Sequence, residues 1–213
     1  MTDITNLVET EGRILAELQG SLSAYASMVG WSANCDYAST PITTGKRLYD
    51  SMRDAGVRTI AEFKQLHPGP VKEIMRLNIE DGEKFAIHLR ETEERTLVIS
   101  PATFFMKGWT QDHYMSFWER VIEQFATRVR LNKEWHYSNG CAEECRMAFA
   151  TGKQVFEGAC IITPNEAVAK LKDTIREIST ITSDITSLYN TYRRLELLAF
   201  TRQKESDQKR IML

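Results

Sequence analysis

Apolar positions change period several times along the chain, and each change marks an element. Between residues 3 and 29, Ile4, Leu7, Val8, Ile14, Leu15, Leu18, Leu22, Tyr25 and Val29 recur at helical spacing, which predicts an amphipathic N-terminal helix over residues 1–30. CDYASTPI (35–42) then reads as a strand ended by Pro41, and GKRLYDSMRDAG as the helix after it. Val57 to Glu94 has helical spacing broken by HPGP at 67–70, so two helices are expected there. TLVIS (96–100) is a buried strand and PATFFMKGWT (101–110) an apolar loop. Helix from Asp112 to Phe125, strand over 126–132, helix from Cys141 to Thr151, and one strand or two short ones over 154–163 complete the series. Strands alternating with helices predict an α/β sheet of parallel strands, whose ligands bind at the strands' carboxyl ends. That rule nominates the loops at 39–47, 100–112 and 132–144.

Beyond Leu171, the residues Ile178, Ile181, Ile185, Leu188, Tyr192, Leu195 and Ala199 step by threes and fours. This is a heptad period with a narrow apolar stripe. It suggests one long helix over 166–213 that packs with the N-terminal helix and with other subunits, giving a homo-oligomer, and that ends in a polar tail. Packing on its own domain is the alternative.

A chain of 213 residues with 42% hydrophobic and 26% charged residues is ordinary for a soluble domain, and no apolar run reaches membrane-spanning length. The acidic, interrupted N-terminus lacks the pattern of a secretory signal, so a cytoplasmic protein with no membrane partner is expected. A net charge of −2 argues against a nucleic-acid polymer as partner but leaves room for a single nucleotide. Cys35, Cys141, Cys145 and Cys160 do not make a disulfide framework. Cys141, Cys145 and nearby His136 match no usual zinc spacing, and buried packing is the better account of the two helical cysteines.

Glu143 and Glu144 follow a Ser-Asn-Gly turn at the start of a predicted helix. Helix-dipole complementarity with capping by Ser138 or Asn139 explains acids there. It does not explain the preceding Gly140 or the small residues Ala148, Ala150 and Gly152.

Ser138-Asn139-Gly140, Glu144, Ala148 and Gly152-Lys153 together resemble a segment of the nucleoside 2-deoxyribosyltransferase superfamily: Asp or Ser, any residue, Gly, three residues, Glu, and a small helix ending in Gly-Lys. YASTPITTGK, from Tyr37 to Lys46, resembles that family's first strand and loop, with Tyr37 and Ile42 at the family spacing. The resemblance spans about residues 33–165 and implies a flavodoxin-like α/β domain, here assigned to 31–165, with the terminal helices as additions. It implies that Glu144 is the nucleophile at the sugar's anomeric carbon, oriented by Tyr37. Ser138 stands where the transferases carry Asp, as in the branch that hydrolyses 2'-deoxynucleoside 5'-monophosphates, where the serine binds the 5'-phosphate.

The implied activity is N-glycosidic cleavage of such a nucleotide, with no cofactor and no metal. Alternatives are base transfer between nucleosides, cleavage of an NAD-type N-glycoside, or nucleotide binding and assembly without turnover. For the family's second acid the candidates are Glu119 and Asp112, with Trp118 and Arg120 in the nearest registers. Asn139, Gly140, Ser39, Ile42, Thr43, Thr44, Gly45, Lys46 and Arg47 are the expected substrate-binding residues. The hydroxyls and cations among them suit a phosphate at a helix N-terminus, and a solvated helix face is the other reading of Lys46 and Arg47. Phe104, Phe105, Trp109 and Trp135 are candidates to stack on a base, with core packing as the alternative for each.

Overall fold

A computed structural model describes residues 34–92 and 96–211, together with Glu9, 12–14, 16–17 and Gly20. The predicted N-terminal helix otherwise lies outside the described residues. The first strand, β1 (Asn34–Ser39), is followed by α1 (Lys46–Asp54), α2 (Ile60–Leu66) and α3 (Pro68–Thr92) before β2 (Thr96–Ile99). Next come α4 (Gln111–Gln124), β3 (Arg128–Leu131), α5 (Asn139–Ala150), β4 (Gln154–Glu157) and β5 (Cys160–Ile161). Two helices, α6 (Pro164–Ser179) and α7 (Thr186–Ile211), close the chain.

The strands form one sheet in the order β2-β1-β3-β4-β5. The first four pair in parallel and β5 returns antiparallel to β4 through Gly158, whose φ of 59° suits the tight turn. β1 sits between β2 and β3, so the chain winds outward in one direction to β2 and in the other to β3 and β4. The reversal opens a crevice at the carboxyl ends of β1 and β3, where open α/β sheets bind ligands. The sheet is held in register partly by charge: Asp36, fully buried on β1, accepts a hydrogen bond from Arg130 Nε at 2.9 Å and another from Arg128. The Arg130 guanidinium also lies 4.0 Å from the centre of the Phe156 ring.

The helix predicted from Val57 to Glu94 with a break at HPGP is present as α2 and α3, because Thr59 caps α2 and Pro68 opens α3. α3 approaches the end of β1 closely at Gly82. A Cβ there would stand 2.7 Å from Ala102 Cβ and 3.0 Å from Thr40 Cγ2. Gly82→Ala is therefore expected to destabilise the chain by about 1–3 kcal/mol despite alanine's better helix propensity. Unchanged denaturant midpoints would show that α3 stands further off.

The C-terminal heptad stripe is not one helix. Thr182 Oγ1 donates to Arg58 O, and the Asp184 carboxylate accepts from Ile60 N at 2.7 Å, capping α2. These local acceptors and donors in TITSD break the helix between α6 and α7. The stripe residues Ile178, Ile181, Leu188, Tyr192, Leu195 and Ala199 are all buried. All but Ala199 belong to the main core of this same chain, with Ile185 packed beside them. The stripe is thus covered from within. The segment read as a polar tail continues α7 as far as Ile211. No helix among the described residues is long and apolar enough to cross a membrane.

Candidate functional site

Alternation along a strand sends residues i and i+2 to the same face, and on β1 this aims Tyr37 and Ser39 at one target. The Tyr37 hydroxyl donates to Glu144 Oε1 at 2.7 Å and the Ser39 hydroxyl to Oε2 at 2.6 Å. Glu144 itself lies on α5 and is only 6% exposed. Ser138 is the N-cap of this helix, accepting from Cys141 N, while Thr44 Oγ1 donates to Ser138 Oγ and accepts from Asn139 N. The β1–α1 loop is thereby tied to the start of α5.

Burial pushes the Glu144 carboxyl up to about 7, against the opposing pull of the hydrogen bonds from Ser39 and Tyr37. Burial and the neighbouring Glu144 charge raise Tyr37 well above the usual phenol range, so it remains a neutral donor. Tyr37→Phe removes one of the two hydrogen bonds that favour the ionised carboxylate. The Glu144 titration midpoint should then move up by about one pH unit or more, since a hydrogen bond to a charged group contributes about 1.5–3 kcal/mol. Carboxyl-carbon NMR reads it, and an unmoved midpoint would exclude the bond in solution.

Glu144 opens onto a cavity of about 520 Å³. Its walls are apolar and aromatic: Met75 and Ile79 from α3, Phe104 and Trp109 from the 101–110 loop, Met115 and Trp118 from α4. Phe104 stacks on Phe117 with ring centres 5.2 Å apart and meets Trp118 edge-on. The Tyr114 hydroxyl accepts from Met106 N and donates to Met106 O, fastening the loop to α4. Phe105, also lining the cavity, is 80% exposed. Polar side chains are few, namely Thr40, Thr43, Thr103, Gln111, Ser138 and Tyr114, whose hydroxyl is hydrogen-bonded to Met106, beside Glu144, and no Lys or Arg lines the cavity among the described residues.

Of the residues expected to bind substrate, Ile42, Thr43, Ser138 and Gly140 line this cavity. Thr44 and Asn139 adjoin it through Ser138. Gly45, Lys46 and Arg47 do not. They line a separate cavity of about 380 Å³, where Lys46 pairs with Asp50 and Arg47 with Asp81 and Asn78. The turn into α1, with Gly45 at φ 147°, carries these three away from Glu144.

Glu119 is likewise not among the cavity-lining residues. Burial raises its carboxyl, with Glu143 adding to the rise and Arg146 and Arg194 opposing it, which places it in that charge cluster instead. Asp112 does not line the cavity either; its neighbour Gln111 does.

Glu143, for which the sequence offered helix-dipole complementarity, is 7% exposed. Its carboxylate accepts from Arg146, from Thr191 at 2.8 Å and from Arg194 at 2.6 Å, so it locks α5 to α7. Trp135 is fully buried in the core, away from the cavity. Cys141 and Cys145 are buried thiols, and the described residues contain no group of three or more His, Cys, Asp or Glu side chains placed to hold a metal ion.

Met75, Ile79, Met115 and Gln111 were not singled out from the sequence, and Trp118 was named there only as standing in a register near the family's second acid. On α3 and α4 their spacing is that of any core-facing helix stripe, so no local signal marks them. A buried carboxylate that is half ionised near neutral pH, in an apolar site with aromatic walls, is equipped to attack an electrophilic carbon, to stabilise adjacent positive charge or to exchange a proton. No family model, curated protein or solved structure matches the chain.

Proposed function

We propose that the chain is a flavodoxin-like member of the nucleoside 2-deoxyribosyltransferase superfamily that hydrolyses the base–sugar bond of a 2'-deoxynucleoside 5'-monophosphate, with Glu144 as nucleophile. The observation that carries this reading is the carboxylate itself: buried, held by the hydroxyls of Tyr37 and Ser39, and facing a cavity between the β1 and β3 ends. The strand order also agrees with a flavodoxin-like sheet and its switch point.

Breaking an N-glycosidic bond builds positive charge on the sugar ring. Glu144 meets that charge from one face and forms a glycosyl ester as the bond to the base breaks. Water then attacks the same carbon and returns the carboxylate. The two hydroxyls fix both carboxylate oxygens before substrate arrives, so little reorganisation is needed during reaction. Aromatic walls accept the planar base. The phosphate is assigned to Ser138, Thr43 and Thr44 and the amides at the α5 N-terminus, where the helix dipole favours an anion. Gln111, Thr103 and Thr40 are the polar groups left for the departing base.

The test is incubation with each deoxynucleoside monophosphate, with the matching deoxynucleosides and NAD as a panel, while following free base. Release from nucleosides only, or only with an acceptor base present, would favour transfer; release from NAD alone would favour the related N-glycosidase. One observation favours binding without turnover: Glu144 is the only acid lining the cavity among the described residues, so a second carboxyl to protonate the base is not at hand. A nucleotide complex that stays intact over long incubation would select that reading.

A further inference from the structure

The second cavity lies against the other side of the β1–α1 loop and shares only Thr40 with the Glu144 cavity. Its volume of about 380 Å³ falls within the range of about 300–1,000 Å³ usual for small-molecule sites. Four cations line it, Lys46, Arg47, Lys84 and Lys133, against two acids, Asp81 and Glu134. Lys46 and Arg47 are already neutralised by Asp50 and Asp81. Lys84 and Lys133 have no carboxylate within ion-pair distance among the described residues, which leaves two ammonium groups for a ligand.

The two lysines come from different elements. Lys84 and His88 are one turn apart on α3, with Phe85 between them on the lining, and Lys133 follows β3. The Lys133 turn is held in place, because Asn132 Oδ1 accepts from Lys133 N and Glu134 adopts a left-handed conformation at φ 59°. A phosphate group matches paired ammonium donors, and Phe85 supplies an apolar surface beside them.

We propose that this cavity binds a phosphorylated small molecule, its phosphate held by Lys84 and Lys133 and its apolar portion resting on Phe85. The site also touches the β1–α1 loop indirectly: Arg47 Nη1 donates to Asn78 Oδ1, and Asn78 Nδ2 donates to the carbonyl of Ile42, which lines the other cavity.

Calorimetric titration of the full chain at low salt with phenyl phosphate and with inorganic phosphate tests the assignment. Saturable binding that depends on Lys84 and Lys133 is expected, with phenyl phosphate the tighter of the two probes, apart from any binding at the Glu144 cavity. The exposed pair changed together, Lys84→Ala with Lys133→Ala, should weaken it about tenfold or more, whereas Lys172→Ala, an exposed lysine that lines neither cavity, leaves it unaltered. Absence of saturation at millimolar probe, equal affinity for the two probes, or loss on Ser138→Ala but not on the lysine change would overturn it. Because the readout is binding, it stands or falls independently of any glycosidase activity.

Discussion

On the proposed glycosidase reading, Glu144→Gln is expected to lower release of free base by about a hundredfold to ten-thousandfold, and at the same time to make the chain more stable at pH 8. If Glu144 is the nucleophile proposed, activity falls because the amide can neither bond to the anomeric carbon nor balance the charge that develops there, and losses of about 10²–10⁴ follow removal of such groups. The stability effect has the opposite sign. Burial raises the Glu144 carboxyl from 4.5 to about 7, so the folded chain holds this proton more tightly than the unfolded one. Its ionisation therefore costs nothing below about pH 4.5 and progressively more as pH rises through about 7. At pH 8 the cost approaches about 3 kcal/mol, and glutamine escapes it. Urea midpoints for both chains at pH 4.5 and pH 8 check the point: the variant's advantage should be near zero at the lower pH and largest at the higher. An equal gap at both would show that Glu144 ionises normally, and base release undiminished in the variant would remove the nucleophile from the proposal.

Leu195→Ala should destabilise the chain by about 2–5 kcal/mol, the range for emptying a fully buried leucine site. For a chain of this size that lowers the melting temperature by roughly 5–15 °C. The argument turns on where the stripe is buried. Leu188 and Leu195 are wholly enclosed by their own subunit, and Glu143 with Arg194 ties the same helix to α5. The loss should be independent of protein concentration. A variant that melted unchanged but had a lower molar mass in solution would return the stripe to a contact between subunits.

The pairing of Glu143 with Arg194 also bears on the candidate site. Glu143 and Glu144 are neighbours in sequence, yet the helical turn sends one to α7 and the other to the cavity. Both are buried, and only their partners differ: cations and a threonine for Glu143, two neutral hydroxyls for Glu144. Paired charge makes a structural tie in the first case. Burial without a cation leaves the second with a raised pKa, a feature that clusters at functional sites.

The periodicities placed strands over 35–42, 96–100 and 126–132, where the structure has Asn34–Ser39, Thr96–Ile99 and Arg128–Leu131, with helices between them, because period 2 and period 3.6 record which face is buried. Turn chemistry placed the break at HPGP (67–70) and a cap at Ser138 or Asn139, and in the structure α3 opens at Pro68 and Ser138 is the cap. Tyr37, Ser138 and Glu144 were grouped by the family resemblance, and the strand-end rule independently nominated the neighbouring loops at 39–47 and 132–144. What the chain could not reveal locally was direction. Lys46 and Arg47 follow Thr43 and Thr44 at once, but the turn at Gly45 carries them into another cavity. Glu119 lies on a helix beside the site with its carboxyl near Glu143, and the heptad stripe found its cover inside the subunit once Thr182 and Asp184 had broken the helix. Spacing along a chain specifies which residues share a face; what that face meets depends on contacts between residues far apart in sequence, and only the tertiary structure decides those.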